Sequence, residues 1–84
     1  MKFWLLSQNE NNGYDTFDSC VVAAPTKKEA RMIHPYDTQF PGDNWGNTIS
    51  QVWASSPDRV TVEFLGYAKS RTKRGVICAS FNAG

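Results

Sequence analysis

Apolar and polar residues change in short blocks along this chain, and the period within each block predicts an element. Met1–Ser7 is a brief apolar run carrying Phe3 and Trp4, which fits a buried strand. Gln8–Gly13 contains Asn9, Asn11, Asn12 and Gly13. Asn-Gly accepts positive φ, so this segment predicts a turn, with the loop reaching as far as Asp15. Phe17–Ala24 predicts a second strand. With a period of two, Cys20, Val22 and Ala24 share one face, and Val21 and Ala23 the other. The two runs together predict an antiparallel hairpin with a long tip.

Pro25-Thr26-Lys27-Lys28-Glu29 announces a helix. Thr26 is placed to accept from the backbone N–H three residues on, and Glu29 to reach back to the N–H of Thr26, which is a capping box. The helix is predicted over Lys27–His34, ending at Pro35, which cannot continue it. Ala30, Ile33 and Met32 mark its inward side, and Lys27, Lys28 and Arg31 its wet side. Two turns are not stable alone, so the helix must lie on the sheet.

Tyr36–Asn47 is rich in Pro, Gly, Asp and Asn and reads as a loop that carries Tyr36, Phe40 and Trp45. Ile49–Ala54 predicts a short strand and Ser55–Asp58 a turn. Arg59–Lys69 is the clearest strand, because Val60, Val62 and Phe64 alternate with Thr61, Glu63 and Leu65. Ser70–Gly75 is a basic connection, read as a hairpin tip, and Val76–Phe81 is the last strand. The order β-β-α-β-β-β predicts an α+β fold. An antiparallel sheet of four to five strands would carry one short helix on one face, in a single domain over residues 1–84.

Composition sharpens this picture. Hydrophobic residues make up 40% and aromatics 13%, so the chain can build a core and is expected to fold. At 84 residues that core is small and leaves little room for a deep pocket. The net charge is +1, which argues against an acidic DNA mimic and against a uniformly basic coat. Charge is nevertheless unevenly placed. Four of the nine basic residues, Lys69, Arg71, Lys73 and Arg74, fall within six positions. From Arg59 onward there are five basic residues and one acid, against four and six from Met1 to Asp43. Such a tip suits nucleic-acid phosphates or an acidic protein surface, or is a solvated turn that deters edge pairing. It has no interleaved aromatics for base stacking.

Only four apolar residues follow Lys2, short of a signal peptide, and no run approaches a membrane span. The chain is expected in a host cytoplasm, without membrane association, with Cys20 and Cys78 as free thiols and small core residues. The single histidine, His34, is expected to cap the helix C-terminus in its protonated form. Two cysteines and one histidine at these spacings match no metal site. No phosphate-cradling Gly-rich loop, no Gly-x-Ser-x-Gly and no His-Glu-x-x-His occurs. The expectation is no enzyme, no catalytic residue, no metal and no cofactor.

Trp4 and Trp53 fall in predicted strands and read as core. Trp45, in Asp43-Asn44-Trp45-Gly46-Asn47, reads equally as a plug over the core or as an exposed anchor. Tyr14, Tyr36 and Phe40 would join it in an aromatic patch if the two long loops meet. Tyr14-Asp15-Thr16 also recurs as Tyr36-Asp37-Thr38, read as turn chemistry or as two matched contact elements.

Several segments together resemble a family of small, mostly uncharacterised proteins of tailed bacteriophages and prophages. They are Trp4-Leu5-Leu6, Asn12–Ser19, Val22-Ala23-Ala24, Glu29-Ala30-Arg31 with His34-Pro35, Val60-Thr61-Val62, Leu65-Gly66 and Ala79–Gly84. The layout, a short Ala-rich helix on an antiparallel sheet, is similar in architecture to some small anti-CRISPR proteins. The resemblance implies a phage-encoded accessory protein that binds and inhibits or redirects a host protein or protein complex, above all a CRISPR-type defence complex. The partner surface would use Lys69, Arg71, Lys73 and Arg74, with Tyr14, Asp15, Tyr36 and Trp45 behind them. The alternatives are a small nucleic-acid-binding module working through the basic tip, and a structural or virion-assembly protein.

Overall fold

The first two apolar runs pair with each other. In the computed structural model, which describes residues 1–11, 13–38, 45 and 52–82, strand β1 (Lys2–Ser7) lies antiparallel to β2 (Thr16–Ala24). Leu5 stands opposite Val21 and Leu6 opposite Cys20. Gln8 organises the chain reversal. Its Oε1 accepts from the backbone N–H groups of Glu10 and Asn11 at 2.8 and 2.9 Å. Its Nε2 donates to the carbonyls of Asn11 and Phe17 at 2.7 and 3.1 Å. All four hydrogen-bonding positions of this buried amide are thus used, which is what burial of a polar group requires. Ahead of β2, Asp15 takes a left-handed φ of 61°, a conformation Asp tolerates, and the Thr16 hydroxyl donates to the Gly13 carbonyl at 2.7 Å.

The helix is shorter than its pattern predicted. Helix α1 covers Lys27–Arg31, with Thr26 as N-cap accepting from the Glu29 N–H at 3.2 Å, the first half of the expected capping box. Met32 is the C-cap and half exposed, not inward. Ile33 continues in a tighter turn, its N–H bonded to the Ala30 carbonyl at 3.1 Å, and a 3-10 turn follows at Pro35–Thr38. Arg31 fastens the helix to what comes later, donating to the carbonyls of Val60 and Pro57 at 2.8 and 3.4 Å.

The two remaining strands are β3 (Thr61–Tyr67) and β4 (Gly75–Asn82), and the sheet order is β3-β1-β2-β4. The protein is an α+β fold, in which the described residues form a four-stranded antiparallel sheet and one short helix. It departs from expectation in two places. Within Ile49–Ala54, residues 49–51 lie outside the described residues, and Val52–Ala54 carry no strand. The segment between β3 and β4 is not a hairpin tip, because the two strands occupy opposite edges of the sheet. Each edge strand finds its aromatic contact on a different central strand. Phe64 packs edge-on against Trp4 at 5.4 Å, and Phe81 against Phe17 at 4.9 Å.

The core lies on one face of this sheet. Trp4, Leu6, Cys20, Val22 and Ala24 meet Ala30 and Ile33 of the helical segment, with Trp53, Ala54 and Val60 closing the side. The Trp4 indole donates to the Ala24 carbonyl at 3.0 Å, so the ring is held by both packing and a hydrogen bond. The turn after β1 is tied to the segment ahead of β3. Glu10 accepts from the Ser55 N–H and hydroxyl, each at 3.0 Å, which lowers its pKa.

Candidate functional site

The distinctive charge cluster sits where the topology concentrates attention. β3 ends beside the start of β1, with Tyr67 opposite Lys2, and β4 begins beside the end of β2, with Gly75 opposite Ala23. Residues 68–74 therefore pass across one whole end of the sheet. Ala68 is anchored by its N–H to the Met1 carbonyl at 3.0 Å, and Thr72 closes a turn on the Lys69 carbonyl at 3.0 Å. Lys69, Arg71, Lys73 and Arg74 are all exposed. They form a basic band over the sheet end.

Two aromatic residues lie on the strand that leads into the band; pattern reading placed Phe64 only as an alternating strand position and did not single out Tyr67. Tyr67 is 79% exposed and Phe64 47%, and their rings meet edge-on at 5.5 Å. Phe64 in turn rests on Trp4, so the exposed pair is backed by a rigid core ring. The signal that would have found them is the strand's position. Phe64 shares a face with Val62, and a bulge at Leu65 on this edge strand returns Tyr67 to that same face.

Of the other predicted contact residues, Tyr14 and Asp15 share the turn before β2, and Tyr36 and Trp45 both pack against the His34 ring. Tyr14 is 77% exposed and Asp15 is exposed, both in the turn before β2. Tyr36 is only partly exposed, packing edge-on against Phe17 at 5.3 Å. Trp45 is half-buried against the core, its indole donating to the Met32 carbonyl at 2.9 Å and its ring edge-on to His34 at 5.0 Å. Trp45 therefore packs as a plug over the core, and Phe40 lies outside the described residues. Of the repeated Tyr-Asp-Thr elements, the first runs from a turn into β2 at Thr16 and the second lies in the 3-10 turn, where Asp37 accepts from the His34 N–H at 3.0 Å.

His34 is not the charged cap that its position suggested. Its side chain is fully buried beyond the end of α1. Its Nδ1 accepts from the Tyr36 N–H at 3.1 Å, which places the proton of the neutral ring on Nε2. Burial pushes its pKa down, against a smaller upward pull from Asp37. Cys20 is buried as expected, and burial pushes its thiol up to about 12, with Cys78 and Asp37 adding to the rise. Cys78 is exposed, contrary to its reading as core, because it stands opposite Val21 on an edge strand, one position out of phase with Cys20.

The face of the sheet turned away from α1 has its own order. The strand registers align Thr61, Ser7, Ser19 and Ser80 in one row and Glu63, Leu5, Val21 and Cys78 in the next. A third row holds Gly66, Phe3, Ala23 and Gly75. Hydroxyls lie at the end away from the basic band, and apolar side chains lie next to it. Among the described residues no enclosed cavity opens, no group of three or more His, Cys, Asp or Glu gathers, and no helix is long and apolar enough to cross a membrane. Comparison of the chain with protein-family models, with curated proteins and with solved structures found no match.

Proposed function

We propose that this protein works by binding, as a phage-encoded accessory protein that engages an acidic surface of a host protein complex through the basic band and the Phe64–Tyr67 pair. The phage setting rests on the sequence resemblance alone. The observation that carries the binding surface is the pair of exposed rings, backed by Trp4, on the strand that runs directly into the exposed Lys69 and Arg71. Cations at the rim of an interface raise the encounter rate and select partners by charge, while aromatic anchors supply most of the retained affinity. A bacterial defence complex of the CRISPR type is the leading partner under this reading.

Single-stranded nucleic acid is the second reading, and the exposure of Tyr67 favours it, since a base can stack on such a ring beside a basic groove. An affinity capture from the bacterial host, treated with nuclease, separates the two. Retention of one host protein after nuclease, and its loss with Lys69→Glu/Arg71→Glu and with Tyr67→Ala, supports the first reading. Recovery of nucleic acid alone, with affinity falling steeply as salt rises, overturns it in favour of the second. Capture unchanged by either variant removes this surface from the mechanism.

A further inference from the structure

Among the described residues the outer edge of β4 is an open edge of the sheet. Among the described residues no strand pairs with it, and Cys78, Ala79, Ser80 and Phe81 are all exposed. An open strand edge offers a row of backbone donors and acceptors that another strand can satisfy. Natural edges are blunted by charge, proline or bulges; Gly75–Asn82 contains no charge and no proline, and its bulge residue is Ile77. The opposite edge, β3, carries Glu63 and is flanked by Arg59 and Lys69.

The two ends of β4 differ in charge. Lys73 and Arg74 immediately precede it. At its far end Asn82 pairs with Thr16 and Phe81 with Phe17, next to the exposed Asp15 and Asp18 of the neighbouring chain segment. Asp18 is the extra residue of a bulge, between the positions paired with Phe81 and Ser80. A second copy docked antiparallel would lay the basic end of each β4 against the acidic end of the other. A parallel arrangement would set like against like. The basic ends of an antiparallel pair would stand about 24 Å apart, the length of the strand, beyond most screening distances.

We propose that β4 is a self-association edge: two copies pair antiparallel along Gly75–Asn82 to form a two-fold dimer with a continuous eight-stranded sheet, locked by Lys73 and Arg74 of each copy against Asp15 and Asp18 of the other. A two-fold axis makes the contact isologous, so one patch serves both partners and the assembly closes. The basic band's other half, Lys69 and Arg71 beside Tyr67, stays outside the contact.

Sedimentation equilibrium of the full chain, from micromolar to near-millimolar concentration, tests this. The wild type is expected to reach twice the chain mass, while Asp18→Arg and Arg74→Asp are each expected to stay at the single-chain mass. An equimolar mixture of these two variants should regain the dimer, because both contacts are again between opposite charges. Thr61→Lys on β3 should leave the dimer intact. Circular dichroism of each variant alone reports folding. If either charge variant fails to fold, Ile77→Lys, at a half-exposed β4 position, is expected to abolish the dimer in its place. A wild type that stays at single-chain mass at every concentration overturns the proposal. So does a mixture of folded variants that does not pair, or a dimer lost with Thr61→Lys and kept with Ile77→Lys.

Discussion

At the scale of single residues, two buried titratable groups have opposite consequences from the same cause. Burial raises the Cys20 thiol to about 12, so at pH 8 only about one molecule in 10⁴ carries the thiolate there. Thiolate is the reactive form, and Cys78 is exposed on an edge strand. A thiol reagent at pH 8 is therefore expected to label one cysteine quickly, Cys78, and to reach Cys20 only at the rate of unfolding. Cys78→Ser should abolish the fast phase, and fast labelling in that variant would contradict the burial of Cys20. For His34, burial lowers the pKa. The unfolded chain then binds a proton more readily than the folded one. Stability is thus expected to fall as pH drops below the unfolded value of about 6.5, and to stop falling once the folded pKa is passed. Protonating Nδ1 would also remove the acceptor for the Tyr36 N–H. Thermal melts between pH 7 and 5 should show this slope in the wild type, and His34→Gln should flatten that part of it.

At the scale of elements, legibility in the sequence follows how local each determinant is. The core face of β2 was readable because a period of two settles which side chains share a side, and Cys20, Val22 and Ala24 are indeed buried together. The cap at Thr26 was readable because it acts over three residues. The end of α1 was not, because Ile33 and His34 keep an inward pattern while the backbone has already tightened into 3-10 geometry. Gln8 was passed over as a turn residue, since nothing in a polar side chain announces that four backbone groups will enclose it. Of the candidate surface, the charge of Lys69–Arg74 was visible, but its aromatic flank at Phe64 and Tyr67 depended on β3 being an edge. Thr26→Ala is expected to cost about 1 kcal/mol, the usual value of an N-cap. Leu6→Ala should cost about 2–5 kcal/mol, as for other fully buried leucines. In a domain of this size the second is a large share of the total stability, so urea titrations should show a modest midpoint shift for the first and a near-complete loss of the folded baseline for the second.

At the scale of the whole molecule, the strand order is the feature that local reasoning had least chance of reaching. A hairpin between β3 and β4 and a crossover between opposite edges leave the same local pattern; the pairing of β3 with β1 and of β4 with β2 distinguishes them, and the ring contacts of Phe64 and Phe81 agree with it. The difference has a mechanical consequence. Two-edge placement separates β3 from β4 by three strand spacings, about 14 Å in a straight line. The seven residues 68–74 reach at most about 25 Å, and they must also travel around the ends of β1 and β2. Deleting Ser70–Thr72 would leave a segment barely longer than the direct gap, with nothing to spare for the detour. A hairpin would accept the same deletion readily, because tight turns need only two to five residues. The deletion is therefore expected to strip β4 from the sheet, exposing the Phe17 ring and leaving the amides on that side of β2 open to hydrogen exchange, while the β1–β3 amides lose less protection. An insertion of three glycines at the same place should leave protection on both edges unchanged, since each added loop residue costs little closure entropy. Equal tolerance of deletion and insertion would mean that β3 and β4 are neighbours after all, and the basic segment would revert to the tip of a hairpin.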